Sequence, residues 1–161
     1  MAEQPDQMNL REILTSTKVG ELTLTTRPTL ETTDTVAAAA AAMRGVSHGS
    51  ALICAGGTLV GIFTERDLLG VIAEGRGLDT LLSEVMTSEP QTVTVDDTLF
   101  DAIYRMDKGG YRRLPVVDSS GAPVGIVDTK TATHFLVEHF PAGVYNQASH
   151  AQLIAKNREG A

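Results

Sequence analysis

Aromatic residues make up only 4% of the 161-residue chain, and cysteine occurs once, as Cys54. A single thiol excludes an internal disulfide framework and a thiolate zinc cluster. Inside the apolar run SALICAG, Cys54 reads as a small buried hydrophobe on a strand. With so few aromatics, a core must be built from Ala, Val, Leu and Ile. No apolar run approaches the roughly 18–20 residues of a membrane span. The opening MAEQPDQMNLREIL is polar, with no apolar signal-peptide centre, so a cytoplasmic location is expected. Positive charge is also in deficit. Thirteen Lys and Arg against 20 Asp and Glu give a net charge of −7, which argues against a chain that grips nucleic-acid phosphates. Gly-x-Ser-x-Gly, Walker-type, Cys-x-x-Cys and dinucleotide-binding motifs are all missing, and no enzyme is expected.

What the chain does have is an internal repeat. RPTLETTDTVAAAAAAMRG, from Arg27, lies over PQTVTVDDTLFDAIYRMDKGG, from Pro90. A shift of 63 positions carries Asp34-Thr35-Val36 onto Asp97-Thr98-Leu99, Met43 onto Met106, and Ala51-Leu52-Ile53-Cys54 onto Leu114-Pro115-Val116-Val117. After one inserted residue, Leu59-Val60-Gly61-Ile62 falls on Pro123-Val124-Gly125-Ile126.

Each copy predicts the same order of elements. Asp97-Thr98 is a helix start, followed by Leu99, Ala102, Ile103 and Met106 at helical spacing and ended by Gly109-Gly110. The runs 114–117 and 124–127, joined by Asp118-Ser119-Ser120-Gly121, predict a hairpin, and a helix follows over 131–139. In the first copy the helix covers 35–44, the hairpin turns at Gly56-Gly57, and the last helix starts at Asp67. The polyalanine run 37–42 reads as a helix that approaches its neighbour closely. The expected class is α/β (α+β): two tandem β-α-β-β-α repeats packed face to face, since neither half can bury its sheet alone. The expected organisation is an N-terminal arm over 1–18, a first repeat over 19–75, a linker and second repeat over 76–139, and a C-terminal tail over 140–161.

These two copies resemble the CBS (cystathionine β-synthase-type) domain. GIFTERDLL, from Gly61, matches that family's strand-end motif, and YRRLPVVDSSGAPVGIV, from Tyr111, matches its core hairpin. The resemblance covers about residues 19–139. It implies a pseudo-twofold module that binds an adenosine-containing ligand: AMP, ADP, ATP or S-adenosylmethionine. Thr64 would then contact phosphate and Asp67 the ribose hydroxyls, with Ile62 and Leu30 flanking the adenine. Arg112 or Arg113 would reach phosphate across the cleft; strand alternation keeps the two from pointing there together, and Arg113 is the favoured one. Arg66 is a third candidate, placed more on the solvent side. The residues also fit a simpler structure, a helix cap in which Thr64 and Asp67 satisfy each other.

The second copy departs from the pattern. Asp128 takes the place of Thr64, which the resemblance sets against phosphate, and Thr131 the place of Asp67. His48-Gly49-Ser50 stands where the other copy has Tyr111-Arg112-Arg113. One competent site per chain is therefore expected, around Asp67. Outside the repeats, residues 8–15 predict a short helix through Leu10, Ile13 and Leu14. The tail from Phe140, with Tyr145, reads as extended. His134, His139 and His150 lack metal-ligand spacing, and no metal is expected.

The resemblance further implies a homodimer, an unidentified protein partner, and a ligand-driven shift between repeats passed to that partner. Two alternatives stay open. One is a non-binding dimerisation scaffold acting through its tail. The other is a small enzyme using Asp67 as a base, for which no nucleophile or second acid stands at motif spacing.

Overall fold

The computed structural model describes residues 10–139. Helix α1 (Leu10–Ser16) and a 3-10 turn (Val19–Glu21) lead into the first repeat. That repeat comprises β1 (Thr29–Glu31), α2 (Val36–Val46), β2 (Ser50–Ala55), β3 (Thr58–Thr64) and α3 (Glu65–Ala73). A short helix α4 (Leu82–Val85) and strand β4 (Thr87–Ser88) precede the second repeat. There β5 (Val93–Thr94), α5 (Leu99–Gly109), β6 (Arg113–Val117), β7 (Pro123–Asp128) and α6 (Thr129–His139) repeat the first order.

Local chemistry sets most of these boundaries. The Thr35 hydroxyl accepts the Ala38 N–H at the start of α2, and the alanine run then carries the helix on high intrinsic propensity. Helix α5 ends at Gly110, which takes the left-handed conformation that glycine adopts most readily. Two helices begin earlier than the sequence suggests. Helix α3 starts at Glu65 rather than Asp67, and α6 at Thr129 rather than Thr131, because Thr64 and Asp128 end their strands and hold the first helical turn. The 3-10 turn, α4 and β4 are too short to leave a periodic signal. Helix α1 lies close to the expected segment and packs against α5. Phe140, Tyr145, His150 and the expected tail lie outside the described residues.

The sheets run β1-β2-β3-β4 and β5-β6-β7, with the first pair parallel and the hairpins antiparallel in both. Each sheet covers one face with its own helices. Val36, Ala39, Met43, Ala51, Ile53, Phe63 and Val71 form one core; Leu99, Ala102, Met106, Leu114, Val116, Val127 and Ala132 form the other.

Both cores are completed by chain from across the repeat boundary. Leu82, fully buried, sits in the first core with Val85 and Met86 beside it, whereas Val19 and Leu22 sit in the second. Burial of one such Leu contributes about 1.5–3 kcal/mol. The crossing segments run along the hairpin strands: Thr87 pairs with Ile62, and Thr25 exchanges both backbone hydrogen bonds with Ile126. Gly61 and Gly125 make this possible. A Cβ at Gly61 would stand 3.1 Å from the Thr87 carbonyl oxygen, and one at Gly125 would stand 2.9 Å from Leu24 Cβ.

Side chains on the opposite sheet faces meet between the repeats. Leu52 and Ile126 are buried yet belong to neither helix-side core. The Leu59 N–H donates to the Gly121 carbonyl at 3.0 Å, tying one hairpin to the other.

Candidate functional site

The turn from β3 into α3 brings Thr64 and Asp67 together. The Thr64 N–H donates to Asp67 Oδ2 at 2.8 Å, and the Thr64 hydroxyl donates to the same oxygen at 3.0 Å. In return the Asp67 N–H donates to Thr64 Oγ1 at 3.3 Å. Asp67 Oδ1 takes no hydrogen bond from any described residue. The pair is thus a reciprocal helix cap that leaves one carboxylate oxygen available.

Strand alternation decides which neighbours face the same cleft. Ala51 and Ile53 point into the helix-side core, so Ser50 and Leu52, with their partners Thr64 and Ile62, point toward the other repeat. Leu30 pairs with Ile53 and packs against the helix-side core. Ile62 and Leu30 therefore leave the sheet on opposite faces, and the structure does not bring them together. Thr87, the cross-strand partner of Ile62, is the residue that the crossing segment adds on the cleft side. Sequence spacing gives no hint of it.

The same logic sorts the arginines. Leu114 and Val116 enter the second core, so Arg113 and its partner Asp128 face the cleft. Arg112 precedes the strand, and Arg66 is exposed on α3. None of the three makes a hydrogen bond or ion pair with a described side chain.

In the second motif the cap survives with its roles exchanged. Asp128 Oδ1 accepts the Thr131 N–H at 2.7 Å and the Thr131 hydroxyl at 2.9 Å. Beside it opens a cavity of about 760 Å³, walled by α6, by Leu22, Thr23 and Thr25 of the crossing segment, and by Ile13 of α1. His134 at its rim is 3.1 Å from Glu138, and the His139 ring stacks on Phe135. Among the described residues, no three His, Cys, Asp or Glu are grouped to hold a metal. None of their helices is long and apolar enough to cross a membrane.

Arg27 was not a candidate from sequence, yet it occupies the junction. It is only 9% exposed. Its Nε donates to Ser50 Oγ at 3.2 Å and its Nη1 to the Thr26 carbonyl at 3.1 Å. Burial pushes the Arg27 pKa down, the charge of Arg113 pushes it the same way, and Asp128 opposes them. The signal that would have found it is a mismatch between the copies: the repeat shift sets Arg27 against Pro90. Cys54, buried on β2, has its thiol pKa raised by burial and then by the Glu31 charge, which marks an inert structural cysteine.

Two interlocked sheet-and-helix repeats with strand–helix turns facing a common cleft define a tandem two-repeat module. The CBS domain profile matches residues 19–74 and 82–138, and the chain belongs to the CBS domain family. CBS domain-containing protein CBSCBSPB3 of Arabidopsis thaliana is 32% identical over 121 residues, covering 72% of this chain and 22% of the relative. The chain thus spans about a fifth of that protein's length. A CBS domain protein from Pyrobaculum aerophilum, solved in complex with AMP, is 26% identical with a TM-score of 0.64, covering 71% of this chain and 88% of the other. A CBS domain pair solved with 5′-methylthioadenosine and S-adenosyl-L-methionine is 24% identical with a TM-score of 0.65, covering 74% and 99%, and shares the fold.

Proposed function

We propose that the chain is a regulatory, non-catalytic module that binds an adenosine-containing nucleotide at the Thr64–Asp67 turn. The observation that carries this reading is the free Asp67 Oδ1 at a turn whose strand presents Ile62 and Thr64 to the cleft. A carboxylate there accepts from ribose hydroxyls, and the Thr64 hydroxyl can rotate toward a phosphate oxygen. Ile62 supplies an apolar surface for the base. The AMP complex of the Pyrobaculum aerophilum relative supports this ligand class. Asp128 would set a carboxylate where the second motif needs a phosphate donor, so binding is assigned to one site per chain. Binding would be passed to a protein partner as a shift between the repeats, provided that ligand affinity differs between the two arrangements. Leu69 and Ile72, 67% and 58% exposed on α3, give the module an apolar helical face for pairing with a second copy in the cytoplasm.

The same cap favours a second reading, in which Thr64 and Asp67 only hold the helix and the chain is a dimerisation scaffold. Calorimetric titration with AMP, ADP, ATP and S-adenosylmethionine separates the two. The nucleotide module gives saturable heat with at least one of them. Absence of heat with all four at millimolar concentration sinks that reading and leaves the scaffold.

A further inference from the structure

A guanidinium nine-tenths buried normally has a carboxylate or a full set of acceptors. Arg27 has neither. Its two hydrogen bonds use Nε and Nη1; among the described residues no carboxylate pairs with it and Nη2 donates to nothing. Among the described residues no buried side-chain nitrogen or oxygen lacks a partner, so Nη2 reaches solvent. The Ser50 hydroxyl that holds Arg27 stands directly opposite Thr64, while Arg113 stands opposite Asp128, and all four side chains face the junction. Two guanidinium charges therefore meet Asp128 at the junction, with the Asp67 carboxylate at the ligand turn beside them. The two arginines repel each other, and Arg27 keeps an unused donor.

We propose that Arg27, with Arg113 across the cleft, is the specificity-determining element that makes this module select phosphorylated adenosine over uncharged or cationic adenosyl compounds. This rests on the reading that the Thr64–Asp67 turn holds an adenosyl ligand. A phosphate at the junction accepts from the open edge of the Arg27 fork, a geometry suited to paired oxygens, and it offsets the repulsion between the two arginines. Adenosine leaves that repulsion in place, and the sulfonium and ammonium groups of S-adenosylmethionine add to it. Ser50 is a positioning residue. It fixes Nε, which leaves Nη2 as the unengaged nitrogen of the fork.

The test is calorimetric titration of the whole chain with AMP, adenosine and S-adenosylmethionine, in the native protein and in Arg27→Met, Arg27→Gln and Arg113→Gln variants. The native chain is expected to prefer AMP over adenosine by at least about tenfold, the scale of one charge-assisted hydrogen bond. Each variant is expected to lower the AMP-to-adenosine affinity ratio by about the same factor. Equal affinity for AMP and adenosine in the native chain overturns the inference but keeps the binding turn, whereas failure of all three ligands overturns the turn itself. If Arg27→Met or Arg27→Gln weakens AMP and adenosine equally, Arg27 is only a pin between repeats and the inference fails. Should neither Arg27 variant fold, Arg113→Gln decides alone, because its side chain is exposed and unpaired: an unchanged ratio overturns the proposal.

Discussion

The Thr64 N–H donates to Asp67 Oδ2 at 2.8 Å, and the Asp67 N–H returns a bond to Thr64 Oγ1 at 3.3 Å. Thr98 and Asp101 do the same at the start of α5, at 2.9 and 3.1 Å. One motif thus occurs at two helix starts, and only the first follows a hairpin strand at the cleft. The second is a built-in control for what the cap alone contributes.

Asp67→Ala and Asp101→Ala should each cost about 1 kcal/mol of stability, the usual scale of a lost cap. Only Asp67→Ala should also weaken AMP, by about tenfold or more. Urea melts and calorimetry on both variants measure the two effects. If Asp101→Ala weakens AMP as much, the loss at Asp67 is general destabilisation rather than a missing ribose contact.

The Asp101 cap also has a pH signature. The Thr98 N–H and then the Thr98 hydroxyl lower the Asp101 pKa, against a small opposing effect of burial and with help from Arg105. A carboxyl depressed in the folded state contributes stability above its unfolded pKa of about 3.9, and loses it as pH falls through the lower folded value. Asp101→Asn should therefore be less stable than the native chain at pH 7, with the gap narrowing below about pH 4. Urea melts at pH 7 and pH 3 check this. A gap of constant size would mean that hydrogen bonding, and not ionisation, accounts for the deficit.

Local signals were legible where one short stretch holds the whole cause. The Asp97-Thr98 start, the Gly110 stop, and the Gly56-Gly57 turn are each fixed by residues within a few positions. So is the Thr64–Asp67 cap. The repeat made the architecture legible because two copies share one order of elements. What could not be read is what depends on crossing. Thr87 reaches Ile62 because chain from the second repeat lies on the first sheet. Arg27 meets Ser50, 23 positions away, because the entering strand passes the cleft. The family resemblance sets Leu30 beside the base, and only pairing with Ile53 shows which face it takes.

The crossing gives the last prediction. Leu82 belongs by sequence to the second repeat, yet it is fully buried in the first core, just as Val19 is in the second. Leu82→Ala should therefore lower the stability of the whole chain by about 2–5 kcal/mol, as truncation of a packed core leucine does. It should do so in one transition, since loss of the first core also frees the segment that leads into the second. Fragments 1–75 and 76–161 should each fail to unfold cooperatively alone, because each lacks part of its own core. Mixing them should restore a cooperative melt, through Val19 and Leu22 entering one half and Leu82 the other. Circular dichroism melts of each fragment and of the mixture measure this. A cooperative transition in 1–75 alone would mean that its core is self-sufficient and that the crossing only decorates it.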